Sequence, residues 1–250
     1  MKKDIIHFFG TTGSKELFFN KIRLSGGLYL EIDDTKLIID PGPGTFYQYI
    51  SHYKNEIDGI LLSHVHIDHS NDLNLLVELM TDGGENKKGT VLLPNQALED
   101  RVLQPYVANF PKELKVIKPK SQYQIKNIEI ITSIEHRHGV ENYGFKIKSQ
   151  NHVIGLVTDT AYFPELLASY KECQILIINV PYYVQNKLKP KHLDIGNVEE
   201  FIREIQPKKV ILTHFNQNMI ENDPAKIAEN LSEKYAIEVI AAEDGMILEL

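Results

Sequence analysis

The chain has 250 residues, 42% hydrophobic, 24% charged and 9% aromatic, proportions that exclude a disordered or collagen-like chain and fit a folded globular protein. Its 27 lysines and arginines against 34 aspartates and glutamates give a formal charge of -7, so the surface as a whole is no sink for polyanions and any recognition of phosphate must be local. The single cysteine, Cys173, excludes an internal disulfide and a thiolate cage and leaves histidines and carboxylates as metal donors.

The first residues, Met-Lys-Lys-Asp, run into a short apolar segment without the apolar stretch of a signal peptide. No segment approaches the roughly 18 apolar residues that span a bilayer, and a cytoplasmic protein with no membrane partner is expected. Short β-branched or apolar runs then recur at residues 5–9, 28–32, 36–39, 59–62, 90–93, 128–134, 145–149, 153–157, 175–178, 209–212, 237–240 and 246–250, each read as a strand. Residues 11–27 read as a long glycine-flanked loop carrying Phe18 and Phe19. Leu73, Leu76, Val77 and Met80 repeat at helical spacing, as do Val198, Phe201, Ile202 and Ile205, so each set offers one apolar stripe to a sheet. Asp194 is placed to cap the second of these helices and Pro207 to end it, while Asp223-Pro224 opens another that runs towards Tyr235. With no repeat or linker, the expectation is one domain over residues 1–250, built from two sheets packed face to face with helices outside.

The chemistry concentrates after the run at 59–62, in Ser63-His64-Val65-His66-Ile67-Asp68-His69. With ten histidines in 250 residues, an HxHxDH pattern arises by chance on the order of once in a thousand such chains. Side chains of an extended segment alternate, so His64 and His66 project to one side and can share a cation; a turn into the following helix redirects Asp68 and His69 towards a second. Four residues do not complete two sites. His138, Asp159 and His214 each follow another apolar run, where a sheet can aim loop residues at one point.

These residues resemble the metallo-β-lactamase superfamily, over nearly the whole chain: His64, His66, Asp68 and His69 match its signature, and Asp40-Pro41-Gly42-Pro43-Gly44-Thr45 resembles its early Asp-Gly turn. The resemblance implies an α+β fold, a four-layer αββα sandwich of two mixed sheets, with a dinuclear site at one edge. It implies that His64, His66 and His138 hold one metal, that Asp68, His69 and His214 hold the other, that Asp159 bridges, and that Asp40 accepts from a ligand imidazole. Imidazole and carboxylate donors suit zinc and also admit manganese or iron. Within the superfamily the ribonuclease Z-like phosphodiesterases are the most similar branch. His138 precedes the Gly144-Phe145 pair by six residues as in their third-ligand segment, which selects it over His136; Thr158-Asp159-Thr160 resembles their bridging segment, and Lys191-His192-Leu193-Asp194 their extra histidine motif.

That branch implies hydrolysis by a metal-bridging hydroxide, with His192 stabilising the transition state or protonating the leaving group and Asp68 able to shuttle a proton. Asp159 comes 21 residues after His138, which leaves no space for the basic arm of the transfer-RNA-processing members. A small phosphodiester is therefore expected, above all a 3′,5′-cyclic nucleotide such as cyclic CMP or UMP, as in compact members that evade Pycsar defence; a large nucleic acid is not. Phe18, Phe19, Tyr182 and Tyr183 are candidate surfaces for a base, and homodimerisation is implied by the resemblance. The alternatives are a ribonuclease Z-like tRNA 3′-endonuclease, a thioester or lactam hydrolase on the same fold, and a non-catalytic binding module.

Overall fold

Residues 3–53, 56–184 and 191–250 are described by the computed structural model. The apolar runs become strands: β1 (Ile5–Phe8), β2 (Leu28–Ile32), β3 (Thr35–Ile39), β4 (Gly59–Leu61), β5 (Thr90–Leu93), β6 (Glu113–Val116), β7 (Gln122–Ile125), β8 (Ile128–Glu135), β9 (Tyr143–Lys148), β10 (Val153–Val157), β11 (Ile175–Asn179), β12 (Lys209–Thr213), β13 (Glu238–Ala241) and β14 (Ile247–Glu249). Between them lie α1 (Lys15–Phe19), α2 (Thr45–His52), α3 (Ile67–Ser70), α4 (Leu73–Thr81), α5 (Gln96–Glu99), α6 (Ile195–Ile205), α7 (Gln217–Glu221) and α8 (Pro224–Tyr235). No helix among the described residues is long and apolar enough to cross a membrane.

The strands form two seven-stranded sheets, ordered β14-β1-β2-β3-β4-β5-β6 and β13-β12-β11-β10-β9-β8-β7. Both follow one plan. The first is antiparallel from β14 to β3 and parallel from β3 to β6; the second is antiparallel from β7 to β10 and parallel from β10 to β13. The strands β8, β10, β11 and β12 therefore point the same way.

Burial explains the layering. Ile6, Leu30, Ile39 and Leu61 of the first sheet pack with Phe145, Leu156, Ile177 and Ile211 of the second. The outer face of the first sheet is covered by Tyr49 of α2 and Leu76, Val77 and Met80 of α4, and that of the second by Val198, Phe201 and Ile202 of α6 with Ile227 and Leu231 of α8. The result is the expected αββα sandwich.

Three sequence expectations need correction. Strands β6 and β7 were not anticipated: at the sheet edges their residues are only partly covered, and Gln122, Gln124 and Lys115 give no apolar run. The reading of 11–27 as a loop missed α1, which Ser14 caps by accepting from Leu17 N. Helix α2 was missed because its inward face is Thr45 and Tyr49 instead of an aliphatic stripe. The helix signals at Asp194 and Asp223 correspond to observed caps, Asp194 forming a reciprocal capping box with Asn197.

Candidate metal centre

The parallel strands end at one edge, and the polar residues that follow them meet there. Asp40 comes after β3, His64 and His66 after β4, His138 after β8, Asp159 after β10 and His214 after β12. Open sheets gather ligands at the carboxyl ends of their parallel strands because the loops there converge. Past His66, which is extended (φ -60°, ψ 145°), the turn expected ahead of α4 is the one-turn helix α3, which carries Asp68 and His69 inward.

His64, His66 and His138 form one cluster. His64 Nε2 lies 3.0 Å and His138 Nε2 3.1 Å from His66 Nδ1. The far nitrogens fix the protons. His138 Nδ1 donates to the Lys191 carbonyl at 3.0 Å. Ser63 Oγ donates to Asp40 Oδ2 at 2.6 Å, so His64 Nδ1, 2.9 Å from that Oγ, is the donor to it. Both Nε2 atoms of neutral rings then turn lone pairs inward, and His66 has at most one proton to offer two acceptors. Imidazoles bound to zinc at about 2.0–2.1 Å have donor atoms roughly 3 Å apart, so this cluster has the spacing and the lone pairs a cation requires.

Asp68, His69 and His214 form a second possible donor set. His69 Nδ1 donates to Asp40 Oδ2 at 2.9 Å. Its Nε2 is buried with no hydrogen-bond partner among the described residues and faces Asp68 Oδ2 at 3.5 Å and Asp159 Oδ2 at 3.8 Å. Burial opposes a charge on His69, but Asp68, Asp40 and Asp159 override it and push its pKa up to about 10. The same negative potential that binds a proton there favours a divalent cation. His64, by contrast, is held well below the usual imidazole range by burial and by the neighbouring His69.

Asp159 lies between the sets. Its Oδ1 accepts from Asn179 Nδ2 at 2.9 Å and lies 3.2 Å from His214 Nε2, while Oδ2 is 3.5 Å from both His138 Nε2 and His192 Nδ1. Burial raises its pKa, yet His214, His69 and His192 outweigh that and keep it a carboxylate. His192, just before α6, stacks edge-on with His138 (ring centroids 4.8 Å apart) and lies 6.0 Å from the Tyr182 ring; burial lowers its pKa to about 4. The seven candidate ligands and His192 therefore meet at one place, with Asp40 bonded to His69 behind them.

Sequence reasoning missed the residues that hold these. Ser63, Asn179 and the Lys191 carbonyl orient the cluster, and Asn142 donates to the Asp159 carbonyl at 2.5 Å. His136 bonds to Tyr170 Oη at 3.1 Å, inside the core. Asn179, at the end of an apolar strand on the same edge, was the one with a readable signal.

Two cavities open onto the cluster and share Gly13, His66, Asp68 and His192. The larger, about 700 Å³, is walled by Phe18, Phe19, Val65, Ile67, Pro181 and Tyr182. The smaller, about 250 Å³, is lined by Gly139, Val140 and Lys191.

Residues 35–215 match the beta-lactamase superfamily domain. The MJ1374 protein of Methanocaldococcus jannaschii is 26% identical, the alignment covering 100% of this chain and 96% of that protein; ribonuclease Z of Borrelia garinii is 22% identical, over 98% of this chain and 96% of its own. Among solved structures, the metallo-beta-lactamase fold protein YhfI of Bacillus subtilis superposes with a TM-score of 0.83 at 18% identity, covering 99% of this chain and 100% of its own. A diphosphatase of the PhnP family does so with 0.72 at 17% identity, covering 100% and 98%.

Proposed function

The chain belongs to the beta-lactamase superfamily domain family, and on that premise we propose that this metal-dependent hydrolase uses two divalent cations to cleave a small phosphodiester, a 3′,5′-cyclic nucleotide being the preferred class. The observation that carries the reading is the convergence of the His64/His66/His138 and Asp68/His69/His214 sets on either side of Asp159. In this proposal each set holds one cation and Asp159 serves both, with zinc the favoured metal and manganese or iron compatible with the donors. The cations would supply a water of lowered pKa and offset charge on phosphoryl oxygens.

The chain's own groups do the rest. Asp40 and Ser63 fix the donor orientation of His69 and His64. His192, about a quarter exposed on the wall of both cavities, donates a hydrogen bond or a proton to the departing oxygen. Asp68, a third exposed, accepts a proton at the cavity floor. The aromatic walls of the larger cavity hold the nucleoside. A ribonuclease Z and a diphosphatase among the similar proteins fit a phosphoryl substrate. Against a folded RNA stands the hairpin of β9 and β10, which pairs Lys148 with Val153 and fills most of the interval between His138 and Asp159; no arm extends from it to grip phosphates.

A hydrolysis panel with metal-loaded protein tests this: cyclic purine and pyrimidine mononucleotides, a precursor tRNA, an acyl thioester and a β-lactam. The cyclic nucleotides are cleaved fastest if the proposal holds, and preferential cleavage of the tRNA at its 3′ end overturns it. We further propose a cytoplasmic homodimer of one-domain subunits, supported by the exposed Ile50 and Leu79 that line a groove between α2 and α4; sedimentation as a monomer at micromolar concentration would remove the dimer.

A further inference from the structure

The five histidines of the two donor sets are not held alike. His64, His69 and His138 are each tethered through Nδ1, to Ser63, Asp40 and the Lys191 carbonyl. Among the described residues no hydrogen bond reaches His214 Nδ1, and its backbone is in the left-handed region (φ 68°), an uncommon conformation for a residue with a side chain. Its Nε2 lies 3.2 Å from Asp159 Oδ1, on the side where a cation would bind, so what fixes the ring from behind is packing.

The structure assigns that task to the loop over residues 10–14, with Gly13 as the positioning residue for His214. A Cβ built on Gly13 would lie 1.9 Å from His214 Nε2 and nearly equidistant from its two ring neighbours, 2.3 Å from Cδ2 and 2.4 Å from Cε1. Such distances put the Gly13 Cα against the face of the imidazole at its Nε2 end. Only glycine permits this approach, and the loop backbone acts as a flat stop that keeps Nε2 turned towards Asp159 and Asp68.

The stop is itself braced. Phe215 N donates to the Thr11 carbonyl at 2.8 Å, and Thr12 Oγ1 donates to the Phe215 carbonyl at 2.7 Å, so the loop is tied to the residue next to the one it presses. Thr12 Oγ1 also accepts from Ser14 N at 2.9 Å, which closes the loop around Gly13. From behind, Arg23 bonds Thr11 Oγ1 at 2.8 Å and the Ala242 carbonyl at 3.1 Å, and Asp244 accepts from both Thr11 Oγ1 and Leu24 N. The atoms a methyl group would strike belong to the end of a side chain, so the group that yields in Gly13→Ala is the His214 ring, and the surrounding backbone stays in place.

This inference rests on the proposed ligand sets, and its test separates the two. Histidine-selective NMR of the metal-free protein should show the His214 ring signals shifted in Gly13→Ala while those of His64 and His69 stay; unchanged His214 signals overturn the inference whether or not metal binds. Elemental analysis of zinc-equilibrated protein should then show the second equivalent bound roughly 10- to 100-fold more weakly in Gly13→Ala, as expected when a ligand loses its orientation, with the first equivalent retained. Should Gly13→Ala fail to fold, Thr12→Val, which removes the tie to Phe215 and keeps the branched shape, should weaken the second equivalent in the same direction. Full loading of both variants, with His214→Ala losing one equivalent, overturns the positioning role and leaves the ligand sets standing. Full loading of His214→Ala removes the ligand assignment instead, and the NMR result still decides whether Gly13 aims the ring.

Discussion

One carboxylate, Asp40, faces three donors: Ser63 N at 2.7 Å, Ser63 Oγ at 2.6 Å and His69 Nδ1 at 2.9 Å. An amide in its place would set an NH₂ against at least one of them. Asp40→Asn should therefore weaken metal binding roughly 10- to 100-fold, measurable by competition with a chelator, although the fold stays intact by circular dichroism. Away from the cluster, His7 is fully buried against Tyr53, and burial followed by the nearby His52 lowers its pKa to about 4; burial likewise lowers His136 to about 3. A folded-state pKa below the unfolded value near 6.5 means that each neutral ring contributes stability above pH 6.5, and that this is lost as pH falls towards 4 and below. The denaturation midpoint of the metal-free protein should stay level above pH 6.5 as far as these two groups set it, then fall. His7→Gln should flatten the drop by on the order of 1–3 kcal/mol, and an equally steep acid limb in the variant would exclude His7. The histidine motif was legible because its four residues fall within a six-residue stretch. Asn142 and Ser63 were not, because an isolated polar residue in a loop looks the same whether or not it supports a site.

At the scale of single elements, α6 couples stability to the site. Its reciprocal cap, Asp194 with Asn197, lies two residues after His192, and the isolated bridge between Tyr182 and Asp194 joins it to the aromatic wall. Asp194→Ala should cost about 1 kcal/mol of stability, within the usual range for a lost cap, and should lower kcat against the preferred diester more than a remote change of equal cost. Asp194→Ser, which restores an acceptor, should recover most of both; thermal melts and initial rates check the pair. In the inter-sheet core, Phe145→Ala removes a ring with no exposure and should cost about 3–5 kcal/mol, read from urea unfolding. Central strands such as β10, β11 and β12 were legible as continuous apolar runs because both faces are covered. Edge strands β6 and β7 were not, since a half-covered strand can carry glutamine and lysine and still keep its hydrogen bonds.

Across the whole molecule, two sheets of one plan turn their carboxyl ends to the same edge, and the donors of each proposed metal set come from both: His64 and His66 from the first sheet with His138 from the second, Asp68 and His69 from the first with His214 from the second. Removing metal should loosen the seam between the sheets, so that chelation raises amide exchange chiefly in the loops holding these residues. A uniform rise over both sheets would contradict this. The two-sheet architecture was legible from the number and order of apolar runs, but which strands neighbour which was not, because pairing depends on contacts far apart in the chain.

The register Ile5↔Glu249 carries a kinetic consequence. The second sheet is drawn from one continuous stretch, β7 to β13, whereas the first stays incomplete until β14 returns across almost the entire chain to lie beside β1. Closing so long a loop costs entropy before any contact rewards it. On dilution from denaturant, pulse labelling should find amides of β8 to β12 protected first and those of β1 and β14 last, so the step that completes the sandwich is the slow one.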